Sequence, residues 1–155
     1  MKLRPMVYGL LALPVLLAAL ASLRLRAADN EMTVYKTPTC GCCGKWVDHL
    51  KANGFQVTVQ EVEDTTPYSR EQGVPDQLRS CHIGVIAGYA VEGHVPASDI
   101  QRLLKERPPA KGLSVPGMPI NSPGMEIPGA PPGRYEVVLF GADGKSSVYQ
   151  RYPRN

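Results

Sequence analysis

Met32-Thr33-Val34-Tyr35-Lys36-Thr37-Pro38-Thr39-Cys40-Gly41-Cys42-Cys43-Gly44-Lys45-Trp46 is the stretch on which the fold turns. Met32 to Lys36 is β-branched and aromatic and predicts a short strand. Thr37-Pro38-Thr39 breaks it and turns the chain into the cysteines. From Lys45 to Asn53 the apolar residues Trp46, Val47 and Leu50 recur at helical spacing, and Asn53-Gly54 supplies the stop. A strand, a cysteine-rich turn and a helix in that order is where thioredoxin-like folds carry their thiols.

Outward from this unit the pattern stays α/β. Phe55 to Val62 alternates and predicts a second strand. Thr65, Thr66 and Pro67 open a short helix, and Val74 to Leu78 a helical turn. Ile83 to Ala87 and Tyr89 to Val95 form a hairpin about Gly88. Pro96 to Asp99 opens a helix over Ile100 to Glu106, with Ile100, Leu103 and Leu104 on one face. Tyr135 to Phe140 and Ser147 to Tyr152 form another hairpin about Asp143-Gly144. Many of the 15 Gly and 15 Pro fall between Pro108 and Gly133, which predicts a turn-rich loop. The expected architecture is a thioredoxin-like α/β domain with a Pro/Gly-rich loop and an added C-terminal β-hairpin.

The first 28 residues stand apart as a signal peptide or N-terminal anchor, leaving 29–155 as one small domain of the 155-residue chain. Lys2 and Arg4 precede an apolar run, Val7 to Leu20, broken only by Gly9 and Pro14. A charged start and a short apolar run describe an export leader; a membrane span needs about 20 apolar residues. Ala19-Leu20-Ala21 fits a cleavage site, with a retained anchor as the competing reading. Lys2, Arg4, Arg24 and Arg26 all precede Asp29, the first acidic residue. From Asp29 onward acidic side chains outnumber basic ones by one, although the whole chain has a formal net charge of +3. That balance leaves no basic footprint for nucleic acid.

The four cysteines are Cys40, Cys42, Cys43 and Cys81. An exported chain with an even count suggests structural disulfides, but three of these lie within four residues, too close to staple distant segments. Thiols at a helix N-terminus face unpaired backbone N–H groups and the positive end of the helix dipole, which favours thiolate. Thiolate serves both disulfide exchange and soft-metal binding. Cys40 and Cys43 have the C-x-x-C redox spacing, while the third thiol, Cys42, complicates simple exchange. In a thioredoxin-like fold Cys81 and His82, just before the third strand, face the Cys40–Cys43 turn.

Soft thiolate and thioether donors select Cu(I), with Zn(II) as the rival. Four thiolates with few other ligands can bridge several Cu(I) ions into one cluster. Met118 and Met125, in the Pro/Gly-rich loop, are thioether candidates for a second site or for hand-off; the plain alternative is that they fill gaps in packing. His82 is a ligand or a neutral imidazole beside the thiolates. His94 is read as structural or surface, and His49 as a solvated helix residue. No paired carboxylates suggest acid–base catalysis, and no phosphate-binding glycine loop or Ser/His/Asp pattern stands out. A disulfide-exchanging or copper-cycling oxidoreductase and a zinc-structured domain remain as rivals.

Taken in order, Thr39-Cys40-Gly41-Cys42-Cys43-Gly44-Lys45-Trp46, Ser80-Cys81-His82, Glu92-Gly93-His94-Val95-Pro96-Ala97 and Gly117-Met118-Pro119 followed by Ser122-Pro123-Gly124-Met125-Glu126 resemble the CopG-type copper-resistance proteins. The resemblance spans roughly Met32 to Tyr152. It implies a periplasmic, thioredoxin-like protein that binds copper ions through Cys40, Cys42, Cys43 and Cys81, confers copper tolerance and has a possible redox role. A copper exporter or oxidase would then be the recipient of the metal, and the membrane would be touched only through an uncleaved leader.

Overall fold

A computed structural model describes residues 30–154; the leader assigned to residues 1–28 lies outside them. Seven strands form one mixed sheet in the order β2-β1-β3-β4-β5-β6-β7. They are β1 (Glu31–Lys36), β2 (Gln56–Glu61), β3 (His82–Ile86), β4 (Tyr89–Gly93), β5 (Gly112–Val115), β6 (Tyr135–Phe140) and β7 (Ser146–Tyr152). Among the described residues three α-helices accompany them, α1 (Gly41–Ala52), α2 (Thr66–Glu71) and α3 (Ala97–Glu106), with a 3-10 turn at Asp76–Leu78. Among the described residues no helix is long and apolar enough to cross a membrane.

The sheet is built by two kinds of connection. Helix α1 carries the chain from β1 to the parallel β2, and α3 from β4 to the parallel β5. The antiparallel pairs are β1 with β3, β3 with β4, β5 with β6, and β6 with β7. Ala87 and Gly88, both at positive φ, close the β3–β4 hairpin in two residues, the turn whose twist suits the flanking strands.

Helices α1 and α3 cover one face of the sheet. There Trp46, Leu50, Ile100 and Leu103 pack on Met32, Val34, Ile86, Val91, Leu113 and Val115, all buried. Helix α2 and the 3-10 turn cover part of the other face, with Val74 and Leu78 over Ile83, Ala90 and Phe140. Each such aliphatic or phenyl side chain taken fully out of water contributes roughly 1.5–3 kcal/mol, so this two-sided burial is the main force holding the sheet.

Two expectations are corrected. Helix α1 begins at Gly41 rather than Lys45, so Cys42 and Cys43 lie in its first turn and Cys40 is its N-cap residue. The Pro/Gly-rich segment is not loop throughout: its residues Gly112 to Val115 form β5, a fully buried strand between β4 and β6. Gly112 is pressed against the Ala90 backbone, where an added Cβ would lie 2.0 Å from the Ala90 carbonyl oxygen. The C-terminal hairpin therefore continues the central sheet through β5.

Candidate metal centre

Cys40 ends the turn after β1; its backbone N–H donates to the Thr37 carbonyl at 3.2 Å, and its own carbonyl accepts the Gly44 N–H at 3.3 Å. Cys42 and Cys43 follow one another around the first turn of α1, which has no acidic residue and no side-chain cap. The first N–H groups of that helix are thus free to face the thiols, as expected for a thiolate-favouring end. Trp46, one turn further on, is fully buried and donates its indole N–H to the Val95 carbonyl at 2.9 Å. That bond ties the cysteine helix to the end of β4.

Cys40 and Cys43 are joined in a disulfide, with Cα atoms 5.3 Å apart. Cys42 and Cys81 are free and half-buried. Each free thiol flanks the disulfide: Cys42 Sγ lies 3.5 Å from Cys40 Sγ, and Cys81 Sγ lies 3.5 Å from Cys43 Sγ. All four sulfurs fall within 4.8 Å of one another. Reduction of the disulfide would present four cysteine sulfurs, all within 4.8 Å of one another, to a metal ion.

Cys81 has a different electrostatic setting from the turn. Burial pushes its thiol up to about 11, chiefly because the charged form would lose solvent. A metal bound there would have to displace that proton, so binding would release acid.

Two imidazoles complete the surroundings. His82 is fully buried, with Nδ1 3.3 Å from Cys81 Sγ and its ring 4.3 Å from the Trp46 ring. Its Nε2 is buried without a hydrogen-bond partner. Burial, with the neighbouring His94, pushes its pKa down to about 3, so the ring is neutral. His94 is also buried, and its Nδ1 lies 2.8 Å from the Pro123 carbonyl. A carbonyl only accepts, so Nδ1 carries the proton and the Nε2 lone pair points toward Cys81 Sγ, 3.6 Å away. Cys81, His82 and His94 thereby form a second donor group, their ligand atoms within 4.8 Å of one another and Cys81 common to both groups. The His82 Nδ1 facing Cys81 and the oriented His94 lone pair both fit a neutral imidazole beside a soft metal.

His94 is the residue that sequence reasoning misplaced. It is not on the surface: it is fully buried, and it faces Cys81. The signal was available in the hairpin. The register pairs Ile86 with Tyr89 and Ile83 with Glu92. Counting outward on both strands from the two-residue turn sets Cys81 opposite His94. His49 is likewise no solvated residue: it is half-buried, and its Nε2 accepts the Ala97 N–H at 3.1 Å, at the start of α3.

The late loop lies against the cysteine turn. At Gly124 an added Cβ would come within 2.7 Å of the Cys42 carbonyl oxygen and 2.8 Å of the Trp46 nitrogen, and φ is +88° there. Only glycine allows that approach. Met125, next in the chain, is half-buried, whereas Met118 is 54% exposed. The cysteines, His82 and His94 are brought together; Met118 stays at the surface of the loop.

Fold and donors together define an α/β protein with a cysteine and imidazole cluster that could hold a metal ion. A family model described as "Protein of unknown function, DUF411" matches residues 78–125. Two solved structures are similar over most of the chain. "Copper resistance protein copG- Form 1" shares 45% identity at a TM-score of 0.74, covering 80% of this chain and 98% of that one. "Copper resistance protein copG- Form 2" shares 46% identity at a TM-score of 0.75, covering 79% and 98%. The chain belongs to this family of CopG-type copper resistance proteins. No curated protein sequence matches it.

Proposed function

We propose that this protein is a periplasmic copper-binding protein that holds Cu(I) on Cys40, Cys42, Cys43 and Cys81, as a cluster of more than one ion, in copper resistance. The observation that carries the reading is the convergence of the four sulfurs within 4.8 Å, with Cys81 shared by a second group containing His82 and His94. Soft sulfur donors select Cu(I), and a thiolate common to two donor groups is a natural bridge between two ions. Met118 and Met125 act at the rim, as transient thioether ligands on the way in or out. The order β2-β1-β3-β4, with only β3 antiparallel to its neighbours, supports a thioredoxin-like core carrying the β5–β6–β7 extension. The charged and apolar leader supports export, with cleavage or anchoring at the inner membrane, and delivery to an exporter or oxidase completes the role.

The Cys40–Cys43 disulfide favours a second reading, in which the site is a thiol or copper oxidoreductase. The copper reading has one consequence: Cys40 and Cys43 are available as thiolates only after that disulfide takes up two electrons. An anaerobic Cu(I) titration of the full-length chain against a competing chelator tests this. The reduced protein should bind more than one Cu(I) tightly, and the disulfide form should lose most of that capacity. Weak binding by the reduced protein, or a preference for zinc, would sink the copper reading. Failure of the metal-free protein to reduce insulin disulfides would remove the exchange reading.

A further inference from the structure

Glu92 is a carboxylate in the interior of the protein that neither the copper reading nor the packing of the core uses. It sits on β4 with its side chain fully buried. One carboxylate oxygen accepts the Ser80 backbone N–H at 2.7 Å, and the other accepts the Ser69 hydroxyl at 2.9 Å. Burying a carboxylate is costly unless it is well hydrogen-bonded, and these two bonds are its compensation. One of them ends on the residue that immediately precedes Cys81.

The rest of that residue is held just as closely. The Ser80 hydroxyl donates to the Gly117 carbonyl at 2.5 Å. Gly93, at φ +71°, lies so near that an added Cβ would be 2.8 Å from Ser80 Cβ and 2.5 Å from the Val115 carbonyl oxygen. The run Glu92-Gly93-His94 is therefore a mount for Cys81. Its carboxylate grips the preceding backbone, its glycine makes room, and its imidazole faces the sulfur.

We infer that Glu92 is a positioning residue that sets the Cys81 sulfur against Cys43 through the Ser80 N–H. The inference deepens the copper reading, since it explains how the shared ligand is placed, but its test does not depend on copper. Replacing Cys40 and Cys42 by serine leaves Cys43 and Cys81 as the single thiol pair. In glutathione buffers the pair passes two electrons and two protons to oxidised glutathione as its own disulfide forms. The equilibrium gives the effective concentration of one thiol at the other.

In that background Glu92→Ala should lower the effective concentration at least about tenfold, the size of one lost charge-assisted hydrogen bond. Glu92→Gln should stay within about threefold, because its amide oxygen accepts the Ser80 N–H while its NH2 donates to Ser69 Oγ. Ser69→Ala, which removes the other bond and leaves Ser80 gripped, should also stay within about threefold. Near-UV circular dichroism checks that each variant is folded. If Glu92→Ala does not fold, Glu92→Met keeps the volume without an acceptor and takes its place. An unchanged effective concentration in the folded variant, or an equal loss in Ser69→Ala, overturns the inference. A loss in Glu92→Ala with unchanged Cu(I) affinity of the four-cysteine chain carrying Glu92→Ala upholds the positioning role and overturns Cys81 as a copper ligand instead.

Discussion

The cysteine turn and the β3–β4 end of the site hold their donors in opposite ways. Cys40, Cys42 and Cys43 lie within four residues at a helix N-terminus; Cys40 and Cys42 are half-buried there and Cys43 is fully buried. Their closeness is a property of local chain geometry. Cys81, His82 and His94 come from the facing ends of two strands, with both imidazoles fully buried and their pKa values lowered by that burial. Their closeness is a property of strand register and of the hydrogen bonds behind them. The turn is the adaptable side, since its Cys40–Cys43 pair can be disulfide or dithiol. The strand end is the fixed side, held by the His94–Pro123 and Ser80–Glu92 hydrogen bonds.

The largest effect expected from breaking this contrast is at Cys81, which belongs to both donor groups. Cys81→Ser should weaken Cu(I) binding by more than about 100-fold, beyond the 10–100-fold cost of losing a residue that only orients a ligand. Cys42→Ser, on the adaptable side, should cost less. Chelator competition on the two variants measures both, and equal losses would mean that the two sides are not distinct.

Next in size is His82, whose Nε2 has no partner. A buried polar atom left unsatisfied is a standing cost, so His82→Leu should stabilise the metal-free protein by about 1 kcal/mol, roughly 4 °C in Tm. The same change should weaken copper binding by about 10–100-fold. A lower Tm would show that the ring is kept for packing on Trp46 rather than for metal.

The acid response follows from the same burial. An imidazole whose folded pKa lies below its unfolded value of 6.5 leaves the unfolded chain binding more protons. The stability it contributes is present above pH 6.5 and is lost as the pH falls from there toward about 3, the folded value for His82. Burial lowers His94 and His49 in the same direction. Between its unfolded value and about 3, His82 costs about 1.4 kcal/mol per pH unit. Denaturant melts of the metal-free protein between pH 7 and 5 should show that decline, and a shallower one in His82→Leu. A decline of the same slope in the variant would clear His82 of the effect.

The smallest effect is expected at the rim. Met118 is 54% exposed, so Met118→Ala should move stability by less than about 0.5 kcal/mol. It should shift the copper dissociation constant by no more than about twofold while slowing transfer to a chelator. Stopped-flow transfer separates the two, and an unchanged rate would reduce Met118 to a surface residue.

Short-range patterning encodes the local elements. The β-branched and aromatic run before Cys40 and the helical spacing after it set the β1–α1 unit, and with it the three-thiol turn. The Gly88 turn set the β3–β4 hairpin, and the register it adopts places Cys81 opposite His94. Long-range contacts settled the rest. Strand β5 is four residues long and buried on both faces, so it has no alternation to announce it among prolines and glycines. The proton on His94 Nδ1 depends on a carbonyl 29 residues away, and the place of Cys81 on a carboxylate 11 positions on along the chain. Composition and periodicity report what lies near in the chain; the orientation of a buried polar atom is chosen by whichever distant group must satisfy it.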